Sequence, residues 1–177
     1  MQVGRGIHRL TQGVANFYVI EEGSKLVLVD AERRRTMASY RLHAELYRTV
    51  WTLGRNRATR ILPVAEVSSF ADGEVIDVPG KPRAIHAPGH TPGSSALLFE
   101  SSRVLMTGDV IVTRNPLTGR VGPQIMPSAF NHDTAQALGS VDALSGVAAD
   151  TLLAGHGEPW TDGVDEAVRR ARAAGAS

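Results

Sequence analysis

Hydrophobic positions in this chain change period three times, and each change marks a different kind of element. Residues 14–20 and 25–30 are rich in β-branched, aromatic and aliphatic side chains. They are joined by Glu21-Glu22-Gly23-Ser24, a short polar connector with a glycine, so they read as a β-hairpin. From Glu32 to Arg60 the only Gly or Pro is Gly54. Met37, Tyr40, Ala44, Tyr47 and Trp51 recur there at helical spacing, beside a second stripe of Leu42, Leu46, Val50 and Leu53. Two stripes give one long helix a broad apolar surface.

Beyond Asp72-Gly73 the pattern shortens into strand-like runs over 74–78, 83–87, 94–100 and 103–107, punctuated by Pro79-Gly80 and the Pro-Gly pairs that follow. These predict a β-meander. Residues 112–130 hold Pro, Gly, Thr and Asn with few periodic apolar positions, which predicts a long surface loop. Asp133 precedes Gln136 in the manner of a capping box, and Ala135, Leu138, Val141 and Leu144 then fall on one face of a helix of about three turns. A short strand over 151–154 and a last amphipathic helix opened by Asp162, with Val164, Ala167, Val168, Ala171 and Ala174 inward, complete the chain.

Composition narrows the chemistry. At 177 residues and 42% hydrophobic content the chain is sized for a single domain over 1–177. With 19 basic and 18 acidic residues the net charge is +1, which gives no field to draw nucleic acid or an anionic membrane. Arg33-Arg34-Arg35 and the arginines between 55 and 60 read as solvated helix-end charges. There is no cysteine, so disulfides, thiolate metal sites and cysteine nucleophiles are excluded. No secretory-signal pattern opens the chain and no apolar run reaches bilayer length, so a cytoplasmic location is the expectation.

The remaining candidates are three loops that each follow an apolar run: Pro88-Gly89-His90-Thr91-Pro92-Gly93-Ser94, then Gly108-Asp109, then Gly155-His156-Gly157. In each, glycine stands beside a histidine or aspartate and permits the sharp backbone turns that aim a side chain at a shared point. Two histidines and a carboxylate are donors suited to zinc or Fe(II). Ser94 and Ser95 lack the G-x-S-x-G pattern of a nucleophile elbow, and no glycine-rich phosphate loop is present.

The order of these loops, preceded by Asn16-Phe17-Tyr18-Val19-Ile20 and Leu26-Val27-Leu28-Val29-Asp30, resembles the metallo-β-lactamase-fold hydrolases from about Val3 to Trp160. The resemblance implies an α/β fold, a four-layer α/β/β/α sandwich. It also implies His90 on a first metal, His156 on a second and Asp109 bridging both. The family's His-x-His-x-Asp-His motif, which supplies most of the two-metal site, is absent: Asp30 runs directly into Ala31-Glu32-Arg33-Arg34-Arg35-Thr36. The N-terminal half therefore reads as shortened by an internal deletion between about 31 and 36. A site of His90, Asp109 and His156 holds one ion at most, zinc before Fe(II), and only where all three converge.

The other histidines have plainer readings. His86 is a strand-end residue or orients a ligand, His132 belongs to the start of a helix, and His8 and His43 sit in a terminal strand and the long helix. Asp30, at a strand end, is either a partner to a metal ligand or a turn residue. Three functions stay open: a hydrolase relative with an incomplete metal centre and little or no turnover, a non-catalytic homo-oligomer formed through the helix at 37–53, and a weak single-metal hydrolase of a small-molecule ester, thioester or lactam.

Overall fold

The computed structural model describes residues 1–12, 15–29 and 68–175. The expected helix over 37–53, Asp30, His43 and the boundary at 31–36 lie outside the described residues.

Four antiparallel strands, β1 (Gln2–Gly4), β2 (Ile7–Gln12), β3 (Ala15–Glu22) and β4 (Lys25–Val29), form the first sheet in chain order. The β3–β4 hairpin turns at Gly23-Ser24, where Gly23 has φ of 61°, as the polar connector predicts. Along β3, Asn16, Tyr18 and Ile20 are buried and alternate with less buried neighbours, so one face of the sheet is committed to an interior.

The second sheet has the order β10-β7-β6-β5, built from β5 (Arg83–His86), β6 (Ser95–Phe99), β7 (Val104–Gly108) and β10 (Thr151–Ala154). β5 and β7 both run antiparallel to β6, and β10 runs parallel to β7. The C-terminal ends of β5, β7 and β10 therefore open on one rim.

Two cores flank this second sheet. Ile7, Tyr18 and Ile20 from the first sheet pack on Phe99, Val104, Met106 and Leu153. On the other side Leu98, Leu105 and Leu152 meet α1 (Thr134–Ser140), the 3-10 turn Val141–Leu144 and α2 (Val164–Ala174). Val164, Ala167, Val168 and Ala171 form the buried stripe of α2, as expected, while Ala174 is only half-buried. The described layers run sheet, sheet, helices.

Three expectations are corrected. Residues 112–130 are not one long loop: β8 (Val112–Arg114) pairs with β9 (Val121–Gln124). The turn is built by Asn115, buried, whose Oδ1 accepts from the Leu117 and Thr118 amides. Residues 74–78 make a single bridge, Val75 to Arg83, because Pro82 offers no amide hydrogen and Val78 already turns back onto Ile76. The helix after Asp133 lasts two turns rather than three. Asp133 caps it by accepting from the Gln136 amide, but Gly139 and Ser140 are weak helix formers and the Ser140 hydroxyl donates to Pro88 O. The same apolar stripe then continues through Val141 and Leu144 in the tighter turn.

Candidate metal centre

Each candidate loop leaves the common rim and is held by neighbours of its own. After β5, the Ala87 and Ser94 backbones pair, Ser94 Oγ accepts from the Thr91 amide, and His86 Nε2 lies 3.0 Å from Pro92 O. Since Pro92 O can only accept, His86 braces the loop as a strand-end donor, in keeping with its plainer reading. Gly89 has φ of 135°, and a Cβ there would stand 2.1 Å from Ala137 N. Only glycine lets the loop close on the first turn of α1, where the amides of His132 and Asp133 donate to His90 O and Gly89 O. His132 thus serves the helix start through its backbone.

After β7, the chain turns at Gly108 with φ of 51° and presents Asp109. Thr107, fully buried, donates its hydroxyl to Ile111 O, and the Val110 amide donates to Thr107 O. After β10, His156 O accepts from the Thr113 and Arg114 amides, and the Gly157 carbonyl accepts from Asn16 Nδ2 and Arg9 Nη1. Asn16 also donates to Ala154 O, which the Tyr18 hydroxyl reaches at 2.6 Å. The first sheet therefore grips the His156 loop by its backbone.

These scaffolds bring the three candidates together. His90 Nε2 is 3.6 Å and His156 Nε2 3.5 Å from the same atom, Asp109 Oδ2, and both histidine side chains are nearly buried. Asp109 is 8% exposed, and its other oxygen, Oδ1, is buried with no hydrogen-bond donor among the described residues. A carboxylate oxygen in that condition costs on the order of 1–3 kcal/mol or more unless a cation or donor meets it. The donor types and the orphaned oxygen fit a metal. The number falls short: among the described residues no group of three or more His, Cys, Asp or Glu is arranged around one point to hold an ion.

Asn131 completes the arrangement and is not singled out by the sequence. Its Oδ1 lies 3.4 Å from His90 Nδ1, and its Nδ2 donates to Met126 O. Its position two residues before the Asp133 cap is the one available signal. His8, by contrast, is paired with Glu21 in the first sheet.

A sequence profile of the Metallo-beta-lactamase superfamily matches residues 33–156, more than two thirds of the chain. The chain belongs to that superfamily and has its α/β sandwich fold. It is 36% identical over 83 residues to a probable metallo-hydrolase, YflN, of Bacillus subtilis (strain 168), a match covering 44% of this chain and 31% of YflN. The chain thus spans about a third of the length of that curated relative. Among solved structures it is similar to the metallo-beta-lactamase family protein TTHA1429 of Thermus thermophilus, with a TM-score of 0.64 and 18% identity over 96% of this chain and 79% of that one. It is also similar to TTHA1623 in a di-iron-bound form, with a TM-score of 0.54 and 17% identity over 90% and 96% of the two chains. Members of the superfamily bind metal ions such as zinc or iron. No described helix is long and apolar enough to cross a membrane.

Proposed function

We propose that this hydrolase-like protein carries an incomplete metal centre and has little or no hydrolytic turnover. The observation that carries the reading is the shared contact of His90 and His156 on Asp109 Oδ2, which puts one histidine and the same carboxylate oxygen on each side. The absence of His-x-His-x-Asp-His from the sequence supports it, as the mark of a single domain shortened near 31–36. A bound zinc would lower the pKa of a coordinated water and so supply a hydroxide nucleophile. His90, Asp109 and His156 would hold the ion, Thr107 and Gly108 would set the carboxylate, and the Asn16 grip would set His156.

A second reading, a weak single-metal hydrolase of a small ester, thioester or lactam using zinc or Fe(II), is favoured by one specific fact. Both imidazoles already face one oxygen, so little movement separates them from a common ion. Self-association through 37–53, and residence in the cytoplasm, rest on sequence pattern alone; a monomer in solution would sink the former.

The test is metal content per chain after purification without chelator, beside a His90→Ala, His156→Ala double variant, followed by hydrolysis assays with added zinc. At most one ion per chain, lost in the variant, with turnover near background, is the expected result. Two ions per chain with robust turnover would overturn the proposal, and one ion with measurable turnover would favour the second reading.

A further inference from the structure

We propose that the cleft between the inner faces of the two sheets is a subsite for a short, uncharged hydrocarbon chain, the acyl part of an ester or thioester whose carbonyl end lies at Asp109. The inference rests on the reading of His90, Asp109 and His156 as metal donors, and it names the substrate class that the site would take.

The two sheets are not packed equally along their length. Away from the rim, Ile7 and Ile20 of the first sheet and Phe99 and Val104 of the second are between 1% and 3% exposed. Towards the rim the same inner faces continue through Val29, which pairs with Tyr18, and Leu97, which pairs with Met106. Val29 and Leu97 pack against this core but are only half-buried. A cleft of about 200 Å³ opens there, walled by Tyr18, Val29, Leu97 and Met106 with Phe70 beside them. An apolar cavity of about 150 Å³ takes a benzene-sized molecule, so this space suits a chain of about four to six carbons.

The chemistry of the walls selects the occupant. Among the described residues that line the cleft none is charged. Its two hydroxyls already face backbone acceptors, Tyr18 on Ala154 O and Ser95 on Gly93 O. An ionic group would lose its water there without a compensating partner, whereas a hydrocarbon chain leaves water at a gain. Gly93 and Gly108 line the cleft as well. Gly108 immediately precedes Asp109, and Gly93 lies three residues after His90 in the same loop. A chain held in the cleft therefore directs its head at the candidate metal centre.

The experiment is NMR of the valine, leucine and methionine methyls. The straight-chain alcohols from ethanol to octanol are added to metal-free protein, and the matching carboxylates to zinc-loaded protein, for the wild type, Leu97→Phe and Leu97→Ala. Shifts are expected at Val29, Leu97 and Met106. Affinity should rise about fourfold per methylene, the equivalent of about 0.8 kcal/mol, and level off at about six carbons. Leu97→Phe should move the levelling point to shorter chains and Leu97→Ala to longer ones, and with zinc present the carboxylates should bind more tightly than the alcohols. Affinity that does not rise with chain length, or shifts confined to other methyls, overturns the proposal in the wild type alone, so a variant that fails to fold does not rescue it. Silence along the whole alcohol series overturns it too, and would mean that a segment of this chain or a second copy occupies the cleft. Length-dependent binding of the alcohols, with no gain for the carboxylates on adding zinc, leaves the cleft in its role and removes the metal reading instead.

Discussion

The two histidine loops meet at one carboxylate oxygen, yet they are held in different ways. The His156 loop is gripped from across the sandwich: Arg9, Asn16 and Tyr18 of the first sheet and Thr113 of the small hairpin bind the carbonyls of Ala154, His156, Gly157 and Glu158. The His90 loop is held within its own sheet and by the segment leading into α1, and among the described residues its ring meets Asn131 Oδ1 and Asp109 Oδ2. Among the described contacts, the backbone of the His156 loop is therefore tied across the sandwich, whereas that of the His90 loop is tied nearby. The backbone beside the aspartate is tied to the His156 side, since the Gly155 amide donates to Gly108 O.

The strongest way to break this comparison is to fill the two glycines that permit it. Gly89→Ala and Gly157→Ala combine a left-handed backbone with a Cβ 2.1 Å from Ala137 N or 2.4 Å from Thr113 Oγ1. Each should cost about 3 kcal/mol or more, read as a large fall in the urea midpoint. Exchange of β8–β9 amides should rise in the Gly157 variant and of α1 amides in the Gly89 variant.

Removing the side-chain holders should separate the two loops more finely. Asn16→Ala deletes two donations to buried or half-buried carbonyls and should lower stability by about 2–3 kcal/mol, measured by urea unfolding. Asn131→Ala should cost about 1–2 kcal/mol while moving zinc affinity at least as much. If Asn131→Ala proves the more destabilising, the division into a globally and a locally held histidine is wrong.

A smaller effect is expected from Glu158→Gln. Arg9 is nearly buried, but Glu158 is largely exposed and its ion pair is open to water. The change should stay within about 0.5–1 kcal/mol, with Arg9 keeping its hydrogen bond to Gly157 O.

The smallest lies away from both loops, on the solvent side of α2. Hydrogen bonds from Arg169 and then Arg170 hold the Glu166 carboxyl down from 4.5 to about 2. A group depressed in the folded state contributes stability above its unfolded value and loses it as pH falls through the folded one. The difference between wild type and Glu166→Gln should thus be present near neutral pH, shrink below about pH 4.5 and vanish by about pH 2. Zinc affinity should not move.

How much of this could be read before the structure depended on how local each cause is. Alternation in 15–22 and 25–29, the Asp133 cap and the inner stripe of α2 are set by neighbours a few residues apart, and they appear in the sequence as periods and caps. The three ligand loops were legible because glycine and proline mark strand ends wherever they fall. The β8–β9 hairpin was hidden because its pairing is carried by Asn115 and Gln124, buried polar residues that a search for apolar periodicity passes over. Residues 74–78 misled in the opposite sense, since β-rich composition cannot supply the amide that Pro82 lacks.

The sequence by itself determined the donor types, their order on strand ends, the lack of any thiolate and the absence of the signature histidine motif. Tertiary structure alone decided that His90 and His156 face one oxygen of Asp109, that the other oxygen is buried without a donor among the described residues, and that Asn131 meets the His90 ring and Asn16 the His156 loop. The physical reason is distance along the chain. Asn16 reaches carbonyls about 140 residues away and Asn131 a ring 41 residues away, contacts that no local period encodes and that exist only once two sheets and a helix have packed.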